Sequence, residues 1–140
     1  MDNIPGSGAA GGLGTALMVF LNGTLKSGIE TVLDLVDFDE HLKDVDIVVT
    51  GEGATDWQSV FGKVMQGVGV HCKKHHIPAV AIVGSMGSGA EDIFDYGIES
   101  IITTVNNIMP LSDALNHAEE LYLGAARRMF RLLKAGMQMR

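Results

Sequence analysis

Three short runs of aliphatic and β-branched residues, Val45–Thr50, Ala79–Val83 and Glu99–Val105, constrain this chain more than any other feature. They are near-continuously apolar rather than alternating, the pattern of strands covered on both faces. The segments between them read as helices: about Ser59 to His75, Ala90–Tyr96 ended by Gly97, and about Ser112 to Ala135. Strand and helix in strict alternation predict an α/β unit with one parallel sheet and right-handed crossovers, β-α-β-α-β-α over residues 44–140, Rossmann- or flavodoxin-like. Nothing before Asp44 reads as a further strand, so the sheet reads as incomplete. Another chain or a further portion of a longer one would complete it.

Residues 1–43 are organised differently and read as a remnant of a second or inter-domain region. Pro5–Gly14 is Gly-rich and precedes a helical stretch, Thr15–Leu25, that Lys26-Ser27-Gly28 interrupts. Ile29, Val32, Leu33 and Val36 then recur at i, i+3, i+4 and i+7, one buried helical face. Asp37 is placed to cap a short turn through Leu42.

At 140 residues, 46% hydrophobic and 19% charged, the chain is expected to fold as a globular body rather than remain disordered. Its uninterrupted apolar runs, Ala16–Leu21 among the longest, are too short to span a bilayer. The first residues carry no basic-then-apolar leader, and the one cysteine, Cys72, has no internal partner. A cytoplasmic chain without membrane contact is the expectation. All 17 acidic residues precede residue 127, which argues against a nucleic-acid partner. The last 14 residues carry Arg127, Arg128, Arg131, Lys134 and Arg140 and no acid. They read as the solvated face and closing turn of a last helix, where cations suit the macrodipole.

Ligands of parallel sheets bind at the carboxyl ends of the strands. Two Gly-rich segments fall there, both read as loops: Gly51–Gln58, containing Gly51-Glu52-Gly53-Ala54-Thr55-Asp56, and Gly84–Gly89, beginning Gly84-Ser85. Glycines let backbone approach a ligand and present N–H groups to anions. Glu52 and Asp56 are carboxylates suited to holding Mg²⁺ jointly with substrate phosphates, or to accepting a proton from an attacking hydroxyl. Equally, Asp56 or Ser59 caps the following helix and Glu52 is a solvated turn residue. Gly6-Ser7-Gly8-Ala9-Ala10-Gly11 matches G-x-G-x-x-G, but no strand leads into it. It reads as a loop with Gly12 feeding a helix N-terminus, an anion site, or else as close packing. Lys63 follows Gly62 without the spacing of a P-loop; it offsets an anion or lies on the surface. His71 and His75 share a helix face at metal-ligand spacing, yet further ligands at finger spacing are absent and histidines near a helix C-terminus are ordinary. Cys72 lies mid-helix, away from any Gly-rich loop, a poor setting for a nucleophile. The scattered methionines read as core filler.

Taken together, P-G-S-G-A-A-G-G-L-G-T-A-L at 5–17, I-V-V-T-G-E-G-A-T-D-W-Q-S at 47–59, G-K at 62–63 and P-A-V-A-I-V-G-S at 78–85 resemble the glycerate kinases of sugar-acid and glyoxylate pathways. The resemblance runs from about Pro5 into the last helix. It implies two α/β domains with a cleft between them, and transfer of the ATP γ-phosphoryl group to glycerate with Mg²⁺, usually giving 2-phosphoglycerate. On that reading Asp56, Glu52 and Lys63 serve catalysis, with Asp56 as the tentative Mg²⁺ ligand. Gly6, Ser7, Gly8, Gly11, Gly12, Gly51, Gly53, Ser59, Gly84 and Ser85 bind substrate or phosphate. Two positions depart from the family pattern: Ala54 stands where the family has Arg, and Val64-Met65 where it has Ala-Pro. Family members are more than twice as long, so the chain resembles a C-terminal portion, expected to be inactive alone and to associate with the missing N-terminal portion or with a second copy. A non-catalytic nucleotide- or phosphoacid-binding module is the alternative.

Overall fold

A computed structural model describes residues 7–57 and 63–139. In chain order the elements are α1 (Ala9–Leu21), α2 (Gly28–Leu35), α3 (Phe38–His41), a 3-10 turn at Leu42–Asp44, β1 (Val48–Thr55) and α4 (Val64–Lys74). There follow β2 (Ala79–Met86), a 3-10 helix at Ala90–Tyr96, β3 (Ile98–Thr103), α5 (Leu111–Asn116) and α6 (Ala118–Gly136). The three strands form a parallel sheet in the order β1-β2-β3. The parallel α/β architecture expected from the apolar runs is therefore present.

β2 carries the packing. Its residues Ala79 to Val83 are all buried, and they divide by parity between two cores. Ala79, Ala81 and Val83 pack with Met65, Val68 and Cys72 of α4, Leu33 of α2, Ile93 and Ile98. Val80 and Ile82 pack on the other face with Ala125 and Met129 of α6. Period-2 alternation on a strand covered by helices on both sides produces this split. Met65 is fully buried, and enclosing a side chain of that size contributes about 1.5–3 kcal/mol. Cys72 is buried as well, and burial pushes its thiol up to about 11, consistent with a core side chain rather than a nucleophile.

The helix ends follow local chemistry. α6 carries Glu119 and Glu120 in its first turn and Lys134 in its last, both signs matched to the macrodipole. Arg127, Arg128, Arg131 and Lys134 thus lie along this helix, Arg140 lies outside the described residues, and Arg128 donates to Thr103 O at 2.8 Å, at the end of β3. The single long helix expected from Ser112 to Ala135 is two helices instead. At His117 the backbone leaves helical geometry, and both its N–H and its ring Nδ1 reach Asp113 O, at 3.0 and 2.9 Å.

Other boundaries differ from expectation for physical reasons. α1 ends at Leu21 rather than Leu25, because Asn22 adopts a left-handed conformation and Gly23 N–H donates back to Leu17 O at 3.0 Å. The Gly-rich segment is not a loop ahead of Thr15: helical turns begin at Ala9, with a left-handed kink across Ala10, Gly11 and Gly12. Ala90–Tyr96 is a 3-10 helix, ended by Gly97 at φ 98° as its position predicts. Asp37 precedes α3 without a side-chain cap. On α2, Leu33 is buried, but Val32 and Val36 are about half exposed, so the apolar stripe is only partly covered. Of the methionines, Met65 and Met129 fill the core while Met137 and Met139 are exposed. The helix placed at 59–75 is α4, which begins at Val64 because Lys63 before it is extended; residues 58–62 lie outside the described residues.

The largest correction concerns the strand ends. β1 starts at Val48 and runs on to Thr55, and β2 continues to Met86, so Gly51–Thr55 and Gly84–Met86 are strand rather than loop. The register holds from Val48 opposite Ala79 to Thr55 opposite Met86. Glycine makes this continuation fit: a Cβ on Gly51 would lie 2.1 Å from Ile82 O, and one on Gly84 would lie 2.2 Å from Gly53 O. The two backbones approach where side chains have no room. Gly51→Ala is therefore expected to lower stability by about 1–3 kcal/mol. Gly53→Ala, where an added Cβ meets nothing within 4 Å, should change it by less than about 0.5 kcal/mol. Urea denaturation midpoints of the two variants check this; equal midpoints would show that close approach is not what requires Gly51.

Candidate active site at the carboxyl ends of the strands

Beyond the paired segments, the chain after β1 and the chain after β2 are stitched together. Gly87 N–H donates to Thr55 O at 2.7 Å, and Trp57 N–H donates to Ser88 O at 3.0 Å. Asp56 sits in this junction, its Cβ 3.1 Å from where a Cβ on Gly87 would be. A third strand end arrives beside it: Thr104 N–H donates to Val83 O at 2.7 Å, and Thr103 Oγ1 donates to Val105 O at 3.1 Å.

Two adjoining clefts open at this end of the sheet. One, of about 490 Å³, lies between Gly53, Gly84 and Ser85 of the strands, Thr104 and Val105 after β3, and the helical residues Leu111, Ala114, Leu115, Ala118, Glu119 and Tyr122. The other, of about 390 Å³, runs along β1 past Val49, Thr50, Gly51 and Glu52 to Ile82. Gly84, Thr104 and Tyr122 line both, so the two adjoin.

Of the residues singled out in the sequence, Gly51, Glu52, Gly53, Gly84 and Ser85 meet at these clefts, with Asp56 one residue past β1. Their glycines serve strand approach in addition to any ligand. Lys63 is exposed, extended, and precedes the first turn of α4; it lines neither cleft. Ser7, Gly8, Gly11 and Gly12 belong to the N-terminal helical turns and also line neither cleft, and Ser7 O accepts from Thr15 Oγ1 at 2.7 Å. Gly6 and Ser59 lie outside the described residues. Sequence reasoning missed the helical wall of the larger cleft, Leu111, Ala114, Leu115, Glu119 and Tyr122. The third strand's carboxyl end was a usable signal, but the segment after it has no Gly-rich motif to draw attention.

The histidines occupy a different place. His71 Nδ1 pairs with Asp39 Oδ1 of α3, and His71 Nε2 pairs with Glu30 Oε2 of α2 at 3.1 Å. Lys74 Nζ donates to Asp39 Oδ2 at 2.8 Å. His75 Nε2 stands 3.0 Å from the same oxygen, out of line for a hydrogen bond. Two carboxylates thus hold the i, i+4 histidines to α2 and α3. The Lys74 ammonium and then the His71 ring hold the Asp39 carboxyl well below the usual carboxylate range. Burial disfavours the charged His71 ring, but the bonds to Asp39 and Glu30 outweigh it and raise its pKa.

These features, a parallel α/β sheet with carboxylates and close-packed glycines at its strand ends, define a class of protein, and the comparisons specify it. A model described as the glycerate kinase family matches residues 1–134. A glycerate kinase from Halalkalibacterium halodurans is 44% identical over 127 residues, covering 91% of this chain and 33% of that protein. The glycerate 2-kinase of Escherichia coli K12 is 40% identical over 138 residues, 99% of this chain and 36% of that protein. The solved structure of a candidate glycerate kinase 2 from Salmonella typhimurium LT2 superposes with a TM-score of 0.72 at 38% identity, over 96% of this chain and 34% of that one. The chain belongs to the glycerate kinase family. It spans about a third of the length of the curated relatives it matches. Among the described residues, no helix is long and apolar enough to cross a membrane.

The His71 ties have a sign that pH can test. A raised histidine pKa contributes stability below the ordinary value near 6.5 and loses it as pH climbs through the elevated value. A depressed Asp39 contributes above the ordinary carboxylate value near 4 and loses that as pH falls. A double-mutant cycle of His71→Gln and Asp39→Asn is expected to show coupling of about 1 kcal/mol at pH 6 and clearly less at pH 9. Coupling that is flat across that range would mean the ring is not charged in the folded protein.

Proposed function

We propose that this chain is the C-terminal part of a glycerate kinase, with residues 44–140 forming part of a Rossmann-like domain and residues 1–43 leading to a second one. The complete enzyme phosphorylates D-glycerate with ATP and gives 2-phosphoglycerate, in the cytoplasm. One observation carries the reading: the Gly51–Asp56 segment lies at the carboxyl end of a parallel strand, with Glu52 lining a cleft there.

In that reaction a glycerate hydroxyl oxygen attacks the γ-phosphorus, the bond from that phosphorus to the β,γ-bridging oxygen breaks, and ADP leaves with its electron pair. Asp56 accepts the hydroxyl proton, or positions it, as oxygen attacks. Glu52 and Asp56 are the kind of hard oxygen donors Mg²⁺ takes alongside substrate phosphates, but four residues along an extended strand set them about 13 Å apart, so Asp56, together with substrate phosphates, would be the ligand. Bound there, Mg²⁺ would neutralise charge developing on the phosphate oxygens. Ser85 and the backbone N–H groups of the strand-end glycines orient the substrates. Lys63 and the amides of Gly6 to Gly12, with Ser59, belong to the part of the site that the rest of the enzyme brings near.

An incomplete site is supported by the surface. β1 and β3 end the sheet among the described residues. Val49 on β1, Leu13, Phe20 and Leu21 on α1, and Phe130 on α6 are exposed. Open strand edges and apolar faces of this kind are surfaces for pairing. The N-terminal portion of the enzyme, or a second copy of the chain, covers them. A non-catalytic phosphoacid-binding module is the second reading. It is favoured by Ala54, which supplies no guanidinium to clamp an anion.

The test is phosphoglycerate formation from ATP and D-glycerate by the 140-residue chain, with and without an added N-terminal portion of a relative. Negligible turnover alone and measurable turnover with the added portion are expected. In the reconstituted enzyme Asp56→Asn should lower turnover on the order of 10²–10³-fold. Turnover by the chain alone at roughly 1–100 per second would contradict its dependence on a further portion. An unaffected Asp56→Asn enzyme would remove that carboxylate from the chemistry.

A further inference from the structure

α2 lies against the α/β body along one line of contacts. Leu33 is buried with the α4 side chains, and Ile29 sits over Gly67, where an added Cβ would be 2.4 Å from Ile29 Cγ1. Val32, Leu35 and Val36, on its other sides, are exposed. A polar tie joins the two helices as well, His71 Nε2 to Glu30 Oε2 at 3.1 Å, while His71 Nδ1 meets Asp39 Oδ1 of α3. The imidazole thus faces a carboxylate at each nitrogen. An ionised carboxylate only accepts, so both bonds exist together only when both nitrogens carry hydrogen. The neutral ring has a single N–H, and one carboxylate is then left facing a lone pair. The two carboxylates are not equivalent. Asp39 Oδ2 also receives Lys74 Nζ at 2.8 Å and lies 3.0 Å from His75 Nε2. Glu30 is the more exposed of the two, and among the described residues its hydrogen-bond partner is His71. The remaining proton therefore stays between the ring and Asp39, and the tie that fails is the one to α2.

We propose that His71 is a pH-sensitive latch: with both nitrogens protonated it fastens α2 to α4, and with one it loosens α2 while α3 stays held. The contacts of Ile29 and Leu33 remain, so α2 opens more often rather than departing. A hollow of about 230 Å³ opens onto the ring, with Asp34, Asp37 and Glu40 around it. Solvent reaches the ring there, and the surrounding negative charge favours the imidazolium. Burial opposes the charged ring, but its bonds to Asp39 and Glu30 outweigh this and raise its pKa. The latch is therefore closed below the ordinary histidine value near 6.5 and opens as pH climbs through the elevated one. Through Asn22–Ser27, which lies in no helix or strand, α2 leads back to α1 and its glycines. The latch itself does not rest on the kinase reading. Its consequence does: on that reading residues 1–43 lead to a second domain, and opening loosens the joint between the two parts of the enzyme.

Amide exchange of the 140-residue chain at about pH 6 and pH 8.5, each rate divided into the intrinsic rate at that pH, tests this. Protection of the α2 amides, of which Thr31 and Val36 donate to Ser27 O and Val32 O, is expected to fall about five-fold at the higher pH relative to α4. The α3 amides of Glu40 and His41, which donate to Asp37 O, should change by less than about two-fold. Glu30→Gln removes the α2 response, because an amide can donate to the neutral ring as well as accept from the charged one. The same variant lowers the pH at which the His71 ring titrates, followed by NMR. His75→Gln leaves the α2 response in place, which separates His71 from the histidine beside it. An α2 response below about two-fold in the unmodified chain would overturn the latch. So would a response that survives Glu30→Gln or disappears in His75→Gln, an unshifted His71 titration in Glu30→Gln, or α3 loosening as far as α2. The kinase reading is judged separately, by phosphoglycerate formation in the reconstituted enzyme. Turnover without the α2 response sinks the latch alone, and the α2 response without turnover sinks only the kinase.

Discussion

Parallel pairing of β2 with β1 is the constraint on which the other features depend. β2 is buried on both faces by α4 and α6, so its position is fixed by packing on two sides. β1 is held by its hydrogen bonds to β2, by the closeness that Gly51 and Gly84 permit, and by Val48, which packs against the α4-side core. That ladder carries Glu52 to the cleft and Asp56 just beyond it. A slip of one residue would exchange the faces of Glu52 and Gly53 and take the site apart. The glycines act through structure: they allow the two strands to continue paired as far as Thr55 and Met86.

Much of this was legible in the chain. The apolar runs at 45–50, 79–83 and 99–105 marked three strands and the parallel sheet followed, although burial on both faces is found only for β2, with β1 and β3 partly exposed. The clefts at the strand ends were also legible in outline, because the G-E-G and G-S motifs lie towards the carboxyl ends of β1 and β2 and line them. What misled was reading glycine as loop. In Gly51–Thr55 and Gly84–Met86 the absence of side chains lets two backbones pair closely, an effect that depends on a partner strand about thirty residues away and so leaves no local signature.

The remaining gaps share that non-local origin. The helical wall of the larger cleft is built from Leu111, Ala114 and Leu115, ordinary helix residues whose role arises only when α5 folds against the strand ends. His71 and His75 have the spacing of metal ligands, but Asp39, 32 residues before His71, decides their chemistry by arriving from α3. The break at His117 depends on one imidazole finding Asp113 O, a detail that helical periodicity does not encode.

Amide hydrogen exchange followed by NMR on the 140-residue chain tests the extended β1–β2 ladder most directly. The account predicts that the ladder amides within Gly51–Thr55 and Gly84–Met86 exchange slowly, in step with the buried amides of Ala79–Val83 and far more slowly than those of Asn22–Ser27, which lie in no helix or strand. Exchange in the two glycine-containing segments as fast as in Asn22–Ser27 would contradict it. The strands would then end at Thr50 and Val83, and the clefts that depend on their extension would have no fixed walls.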